Sequence, residues 1–232
     1  ASGSSGNCYY IRDRGEVPYA LLLDCGIPIK RVQEAVWSVG EKMSNISGCF
    51  VTHEHTDHVS GVQRLADMGV DVYASKGTIE ASGLNGHRIH EVKSKSSFSV
   101  NGFSVLPFDV EHDAKEPLGF LVTSNNTGER LLYVTDTEYL KYSFKGITHI
   151  MIEANYDADM LSNNVHNGAF PAEHGKRVVN THMSIETALL TLERLEKECL
   201  KEVWLLHLSN DNAATDFKRR VQEVTGAEVY VA

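Results

Sequence analysis

The stretch THEHTDHVSG, residues 52–61, sets His53, His55, Asp57 and His58 within six positions, directly after the apolar run Ile46–Val51. In an extended turn, residues two apart point the same way, so His53 and His55 can grip one ion. Asp57 and His58 leave the same loop toward a second position. A single histidine in a polar turn would be an ordinary surface residue; four ligand-type side chains after a buried strand are the donor set of a metal site. Two ions need more donors than one loop carries. Three candidates stand at the C-terminal ends of other apolar runs: His112 in VEHDA, Asp136 closing LLYVTD, and His207 in VWLLHLS. Each alone could be a solvated polar residue, but their shared position points to one site.

The elements that must hold these residues read as strands interrupted by helices. Strands are expected at 8–11 and 19–24 around the turn RDRGEVP, then at 46–52, 70–74, 88–92, 103–110, 119–124, 130–135, 149–153, 202–208 and 228–231. Helices are expected at 28–39, with proline in the first turn, and at 59–68, 184–197 and 213–224. The Asn- and Gly-rich stretch SNNVHNGAFPAEHG, which holds His166 and His174, reads as a loop after a short helical turn. The opening ASGSSGN reads on its own as a flexible leader.

With 232 residues and 42% hydrophobic content, the chain can bury a sizeable core, and no linker divides it, so a single domain over 1–232 is expected. No run approaches the length of a membrane span and the start has no signal-peptide pattern, so a cytoplasmic protein without membrane contact is expected. Cys8, Cys25, Cys49 and Cys199 form no CxxC pair and read as buried free thiols. A net charge of −9 argues against a generic basic nucleic-acid binder, though not against a nuclease whose positive charge is local or brought by metal.

LLLDCG at 21–26, THEHTDH at 52–58, His112, Asp136 and His207, in that order, resemble the metallo-β-lactamase fold superfamily over nearly the whole chain. The resemblance implies an α/β (α+β) fold, a four-layer αββα sandwich with a dinuclear site, usually zinc and sometimes manganese or iron. It implies that His53, His55 and His112 hold the first ion, that Asp57, His58 and His207 hold the second, and that Asp136 bridges them. Asp24 would position the histidine loop from behind. The lactamases of this superfamily typically lack the Asp136-type bridging carboxylate, so its presence points away from antibiotic hydrolysis.

A pair of divalent ions about 3.5–4 Å apart activates a bridging hydroxide and stabilises the attacking and leaving oxygens of a phosphodiester. The leaving alkoxide then needs an acid that is not a ligand. Glu153, ending IMIE, and His182, before a helix with Ser184 at its N-cap, together look like the pair of the tRNase Z branch, in which a carboxylate orients the acidic histidine. Asn155 stands where that branch has threonine. Asp57, Glu153 and His182 are thus the expected catalytic residues.

SGSSGNCYY, VEHDA, the TDT around Asp136, EANYD, HMS at 182–184 and HLSNDN at 207–212 are similar to the small YycJ/WalJ group, for which DNA exonuclease activity is the usual expectation. The similarity makes the opening segment part of the site, with Ser4, Ser5 and Asn7 near substrate phosphate. Lys141, Lys145, Lys176 and Arg177 are further candidate phosphate contacts, against the plainer reading of a solvated charged face. The expected partner is a nucleic acid, DNA rather than RNA, and no obligate protein partner is indicated. The rival readings are a thioesterase or lactonase of the glyoxalase II type, using the same metals without Glu153 and His182, and a binding module that keeps its metals for stability.

Overall fold

The computed structural model describes residues 1–15 and 19–232; positions 16–18 of the expected RDRGEVP turn lie outside the described residues. Two compact units emerge, one of residues 1–109 and 114–129, the other of residues 110–113 and 130–232.

The first unit opens with β1 (Tyr9–Arg12), β2 (Ala20–Leu23) and α1 (Ile29–Ser38), followed by β3 (Ile46–Phe50), α2 (Thr56–Val59) and α3 (Val62–Asp67). It continues with β4 (Val72–Ala74), α4 (Lys76–Ser82), β5 (Ile89–Glu91), β6 (Phe98–Val100), β7 (Phe103–Asp109) and β8 (Leu118–Ser124). Strands β1 to β5 form one sheet in sequence order, antiparallel between β1 and β2 and parallel thereafter. Parallel strands covered on both faces read as unbroken apolar runs, and ALLL of β2 is buried at every position. Val32 and Val36 of α1 with Val62, Leu65 and Ala66 of α3 join Leu22, Cys49 and Val72 in one core cluster. Phe50 packs against Phe98 and Phe120, with ring centroids 5.8 and 5.6 Å away.

Three expectations are corrected in this unit. The helix expected at 59–68 begins earlier, as α2, and breaks at Ser60–Gly61, where a Cβ on Gly61 would press on Cys25 and the carbonyl of Ile27. Strand β6 was not expected. Its signal is the Asn101–Gly102 turn, with φ of 23° and 81°, which pairs β6 with β7 as a tight hairpin. Helix α4 was also missed; Ser75 caps it by accepting from Thr78 N, and the αL residue Gly83 ends it.

The second unit holds β9 (Arg130–Val134), β10 (His149–Glu153), α5 (Ala158–His166), α6 (Ala172–Thr181), α7 (Ile185–Arg194), β11 (Glu202–Leu206), α8 (Phe217–Thr225) and β12 (Glu228–Val231). Its four strands are parallel in the order β12, β11, β10, β9. Ser184 caps α7 by accepting from Thr187 N. The loop expected at 162–175 is corrected to most of a helical hairpin. Asp157 caps α5 by accepting from Met160 N, Pro171 precedes α6, and Leu161, Val178, Val165 and Phe170 pack around Tyr156 as a small core of their own. Such a short apolar set gives weak periodicity, which is why the asparagines dominated the reading. Cys8, Cys25 and Cys49 are buried free thiols, whereas Cys199 is exposed in the turn before β11. No helix among the described residues is long and apolar enough to cross a membrane.

Candidate functional site

Three chemistry-bearing residues sit just past the ends of buried strands with left-handed backbone: Asp24 after β2 (φ 55°), Asp136 after β9 (φ 48°) and His207 after β11 (φ 55°). Left-handed conformation is uncommon outside glycine, and outliers of this kind collect at functional sites when their surroundings hold them there. Each is held. Asp24 Oδ1 accepts from Thr52 N at 2.8 Å and Thr52 Oγ1 at 3.0 Å. Asp136 Oδ1 accepts from Thr135 Oγ1 at 2.8 Å. The His207 carbonyl accepts from Asn155 Nδ2 at 2.7 Å.

In the first unit, β3 delivers the loop that carries His53, His55, Asp57 and His58. Asp24 Oδ2 lies 2.9 Å from His58 Nδ1. A carboxylate only accepts, so Nδ1 carries the proton and Nε2 presents its lone pair. Asn7 Nδ2 donates to that Nε2 at 2.9 Å and to Asp57 Oδ2 at 3.3 Å. The side chain of Asn7 is buried, its Oδ1 accepting from Gly3 N and Tyr9 Oη, so the opening segment packs beside the histidine loop. Ser4 and Ser5 are exposed within it. His53 Nε2 and His55 Nδ1 are 3.1 Å apart, and the His53 and His58 rings are centred 4.2 Å apart. Imidazole nitrogens clustered this closely beside the Asp57 carboxylate are a donor set that fits a metal. Gly26 packs against the loop so closely that a Cβ there would overlap the Asp57 carbonyl.

In the second unit, Asp136, Glu153, His182 and His207 present ligand-type atoms all within 4.8 Å of one another. His112 belongs here too. Its Nδ1 lies 2.8 Å from the Thr181 carbonyl, which can only accept, so Nε2 again offers the lone pair, 3.9 Å from Asp136 Oδ2. Burial lowers the His112 pKa and favours this neutral, ligating form. Asp136 with the imidazoles of His112 and His207 is a fitting donor set for a divalent cation.

Glu153 and His182 meet at 2.6 Å, Oε1 to Nδ1. Glu153 is fully buried at the end of β10, and its Oε2 accepts from the backbone N–H groups of Thr137 at 3.1 Å and Met183 at 3.3 Å. Burial alone would raise its carboxyl, but the charge and hydrogen bond of His182 outweigh it and hold Glu153 below the ordinary carboxylate range. Burial would lower His182; the same carboxylate outweighs that and lifts the imidazole above the ordinary histidine value. His182 forms the C-cap of α6 and stacks on His207, centroids 5.1 Å apart. An imidazole held protonated by a buried carboxylate can deliver a proton.

Other expected contacts already have partners. Lys141 pairs with Glu111 at 2.8 Å, Lys145 with Glu196 at 3.4 Å, and Arg177 with Asp113 at 3.0 Å, while Lys176 is exposed. A phosphate at the first three would have to replace a carboxylate. His166 ends α5 and His174 stacks on Phe170. Sequence reasoning missed Thr52, whose hydroxyl touches Asp24, His53 and His58, and gave no role to Asn155, whose Nδ2 also lies 3.1 Å from His207 Nδ1. The place of Thr52 directly before the first histidine was the available signal.

Residues 19–208 match the β-lactamase superfamily domain. The exodeoxyribonuclease YycJ of Bacillus anthracis is 30% identical over 234 aligned positions, taking in 94% of this chain and 84% of that protein. The exodeoxyribonuclease WalJ of Streptococcus pneumoniae serotype 2 is 28% identical over 226, taking in 91% and 81%. Among solved structures, the metallo-β-lactamase fold protein YhfI of Bacillus subtilis superposes with a TM-score of 0.74 at 16% identity, covering 100% of this chain and 93% of that one. The likeness to YhfI is one of fold.

Proposed function

Because the chain belongs to the β-lactamase superfamily, within its YycJ/WalJ group, we propose that it is a metal-dependent phosphodiesterase that degrades DNA from an end. The observation that supports this most is the 2.6 Å contact of His182 with the buried carboxylate of Glu153. The thiolate leaving a thioester needs no acid, whereas the alkoxide leaving a phosphodiester needs a proton. By the superfamily resemblance, His53, His55 and His112 would hold one divalent ion, Asp57, His58 and His207 would hold a second, and Asp136 would serve both. Zinc is the first choice of metal, with manganese or iron as alternatives. Bound there, the ions supply an activated water and neutralise charge on the phosphate.

The chain's own residues do the rest. Asp24 keeps the His58 proton on Nδ1, Asn155 fixes His207, and Glu153 keeps His182 protonated and aimed. His182 passes its proton to the leaving oxygen and regains one from solvent. Ser4, Ser5 and Asn7, with Lys176 and Arg177, are assigned to substrate phosphates, and a cytoplasmic location goes with a DNA substrate.

The test is a substrate panel with Zn²⁺, Mn²⁺ and Mg²⁺ added separately: end-labelled single- and double-stranded DNA and RNA, bis(p-nitrophenyl) phosphate, thioesters and lactones. Progressive shortening of DNA from one end is expected. Rapid thioester or lactone turnover with no phosphodiester cleaved would decide for the glyoxalase II type of reaction.

A further inference from the structure

The turn between α5 and α6 and the first turn of α6 have no part in the chemistry above, yet this helix runs straight into His182. Phe170, in the turn before α6, is partly buried against the hairpin's own core. His174 lies nearly flat on it, with ring centroids 4.8 Å apart and 25° between planes, and is itself exposed. One face of this imidazole is thus backed by an anchored aromatic ring and the other is open to solvent. The turn that carries Phe170 has no carboxylate from Met160 to Ala172, although Glu173 directly precedes His174. Lys176 follows, exposed, two residues after His174.

We propose that Phe170 and His174 form a stacking platform for a nucleobase of single-stranded DNA. The proposal rests on the nuclease reading above and extends it to how the strand is gripped. An aromatic face backed by a second ring is rigid, so a base can stack on it without ordering a mobile side chain, and stacking is indifferent to which base arrives. Position along the helix sets the reach. From His174 to His182 is eight residues, or about 12 Å at 1.5 Å per residue. At about 3.4 Å per nucleotide in a fully stacked strand, and more in an extended one, the stacked base lies at most roughly three to four nucleotides from the phosphate served by His182 and beyond the reach of a dinucleotide. Substrates shorter than that cannot use the platform.

The test compares the full metal-loaded chain with its His174→Ala and His174→Phe variants. The probes are oligodeoxythymidylates of two and eight nucleotides and bis(p-nitrophenyl) phosphate. On the eight-mer, His174→Ala is expected to raise KM about fivefold to a hundredfold with kcat little changed, the size of a lost base–aromatic stack. His174→Phe, which keeps the ring and removes the nitrogens, is expected to stay near the parent. On the dinucleotide and the small phosphodiester all three proteins should be equal. An unchanged KM for His174→Ala on the eight-mer overturns the platform, as does an equal loss on all three substrates or a failure of phenylalanine to restore binding. A parent chain that cleaves none of the oligonucleotides overturns the nuclease reading and the platform with it, which separates the two failures.

Discussion

His182 and Glu153 meet across 2.6 Å, and that contact shifts the two groups in opposite directions. Histidine in the unfolded chain titrates near about 6.5. In the fold its value is raised, so the stabilisation from the pair is complete below the unfolded value and is lost as pH rises through the folded one. Glu153 has the opposite sign: its folded value is depressed, so its stabilisation is present above the unfolded carboxylate value and lost as pH falls through the folded one. Glu153→Gln removes the charge that lifts the imidazole. The alkaline limb of the kcat–pH profile is expected to move to lower pH in that variant; an unmoved limb would detach Glu153 from the acid. Asn155→Ala removes the donor to the left-handed His207 carbonyl at the end of β11. A loss of about 1–3 kcal/mol in stability is expected by thermal melting, with roughly 10- to 100-fold weaker metal retention by titration against a chelator. Unchanged retention would leave Asn155 as scaffolding only. The histidine loop was legible because its donors are contiguous. Asn155 and Thr52 were not, because their importance arises from pairings made only in the fold.

At the scale of elements, parallel strands deliver the ligand-type residues from their C-terminal ends, and glycines let the loops close around them. Gly26 is the sharpest case. A methyl group there would meet the carbonyl of Asp57, so Gly26→Ala must push the histidine loop outward or unfold its first turn. Overpacking of this kind costs about 1–3 kcal/mol or more. A fall in melting temperature of several degrees, with reduced bound metal by elemental analysis, is expected; a variant with parental melting and metal content would show that the loop is not so confined. The long apolar strands were readable from their unbroken hydrophobic runs, since both faces of each are covered. The α5–α6 hairpin was not, because a cap, one proline and a handful of apolar side chains hold it rather than a periodic face. The β6–β7 hairpin was missed for a different reason: strand β6 has only three residues, and Asn101–Gly102 alone marked it.

For the whole molecule, a net charge of −9 and a DNA substrate are compatible if divalent ions and a few local cations meet the phosphates. Family and fold followed from donors spread from Asp24 to His207, whereas the proposed choice of substrate rests on His182 and Glu153, which neither charge nor composition reveals. The most direct measurement is digestion of 5′- and 3′-end-labelled single-stranded DNA by the parent chain and by His182→Ala, with the metal content of each determined in parallel. Stepwise release of nucleotides by the parent is expected, together with a variant that keeps its metal but turns over about 10²- to 10⁴-fold more slowly. Cleavage by His182→Ala at the parental rate, or a metal-loaded parent that leaves DNA intact while hydrolysing thioesters, would contradict the nuclease mechanism.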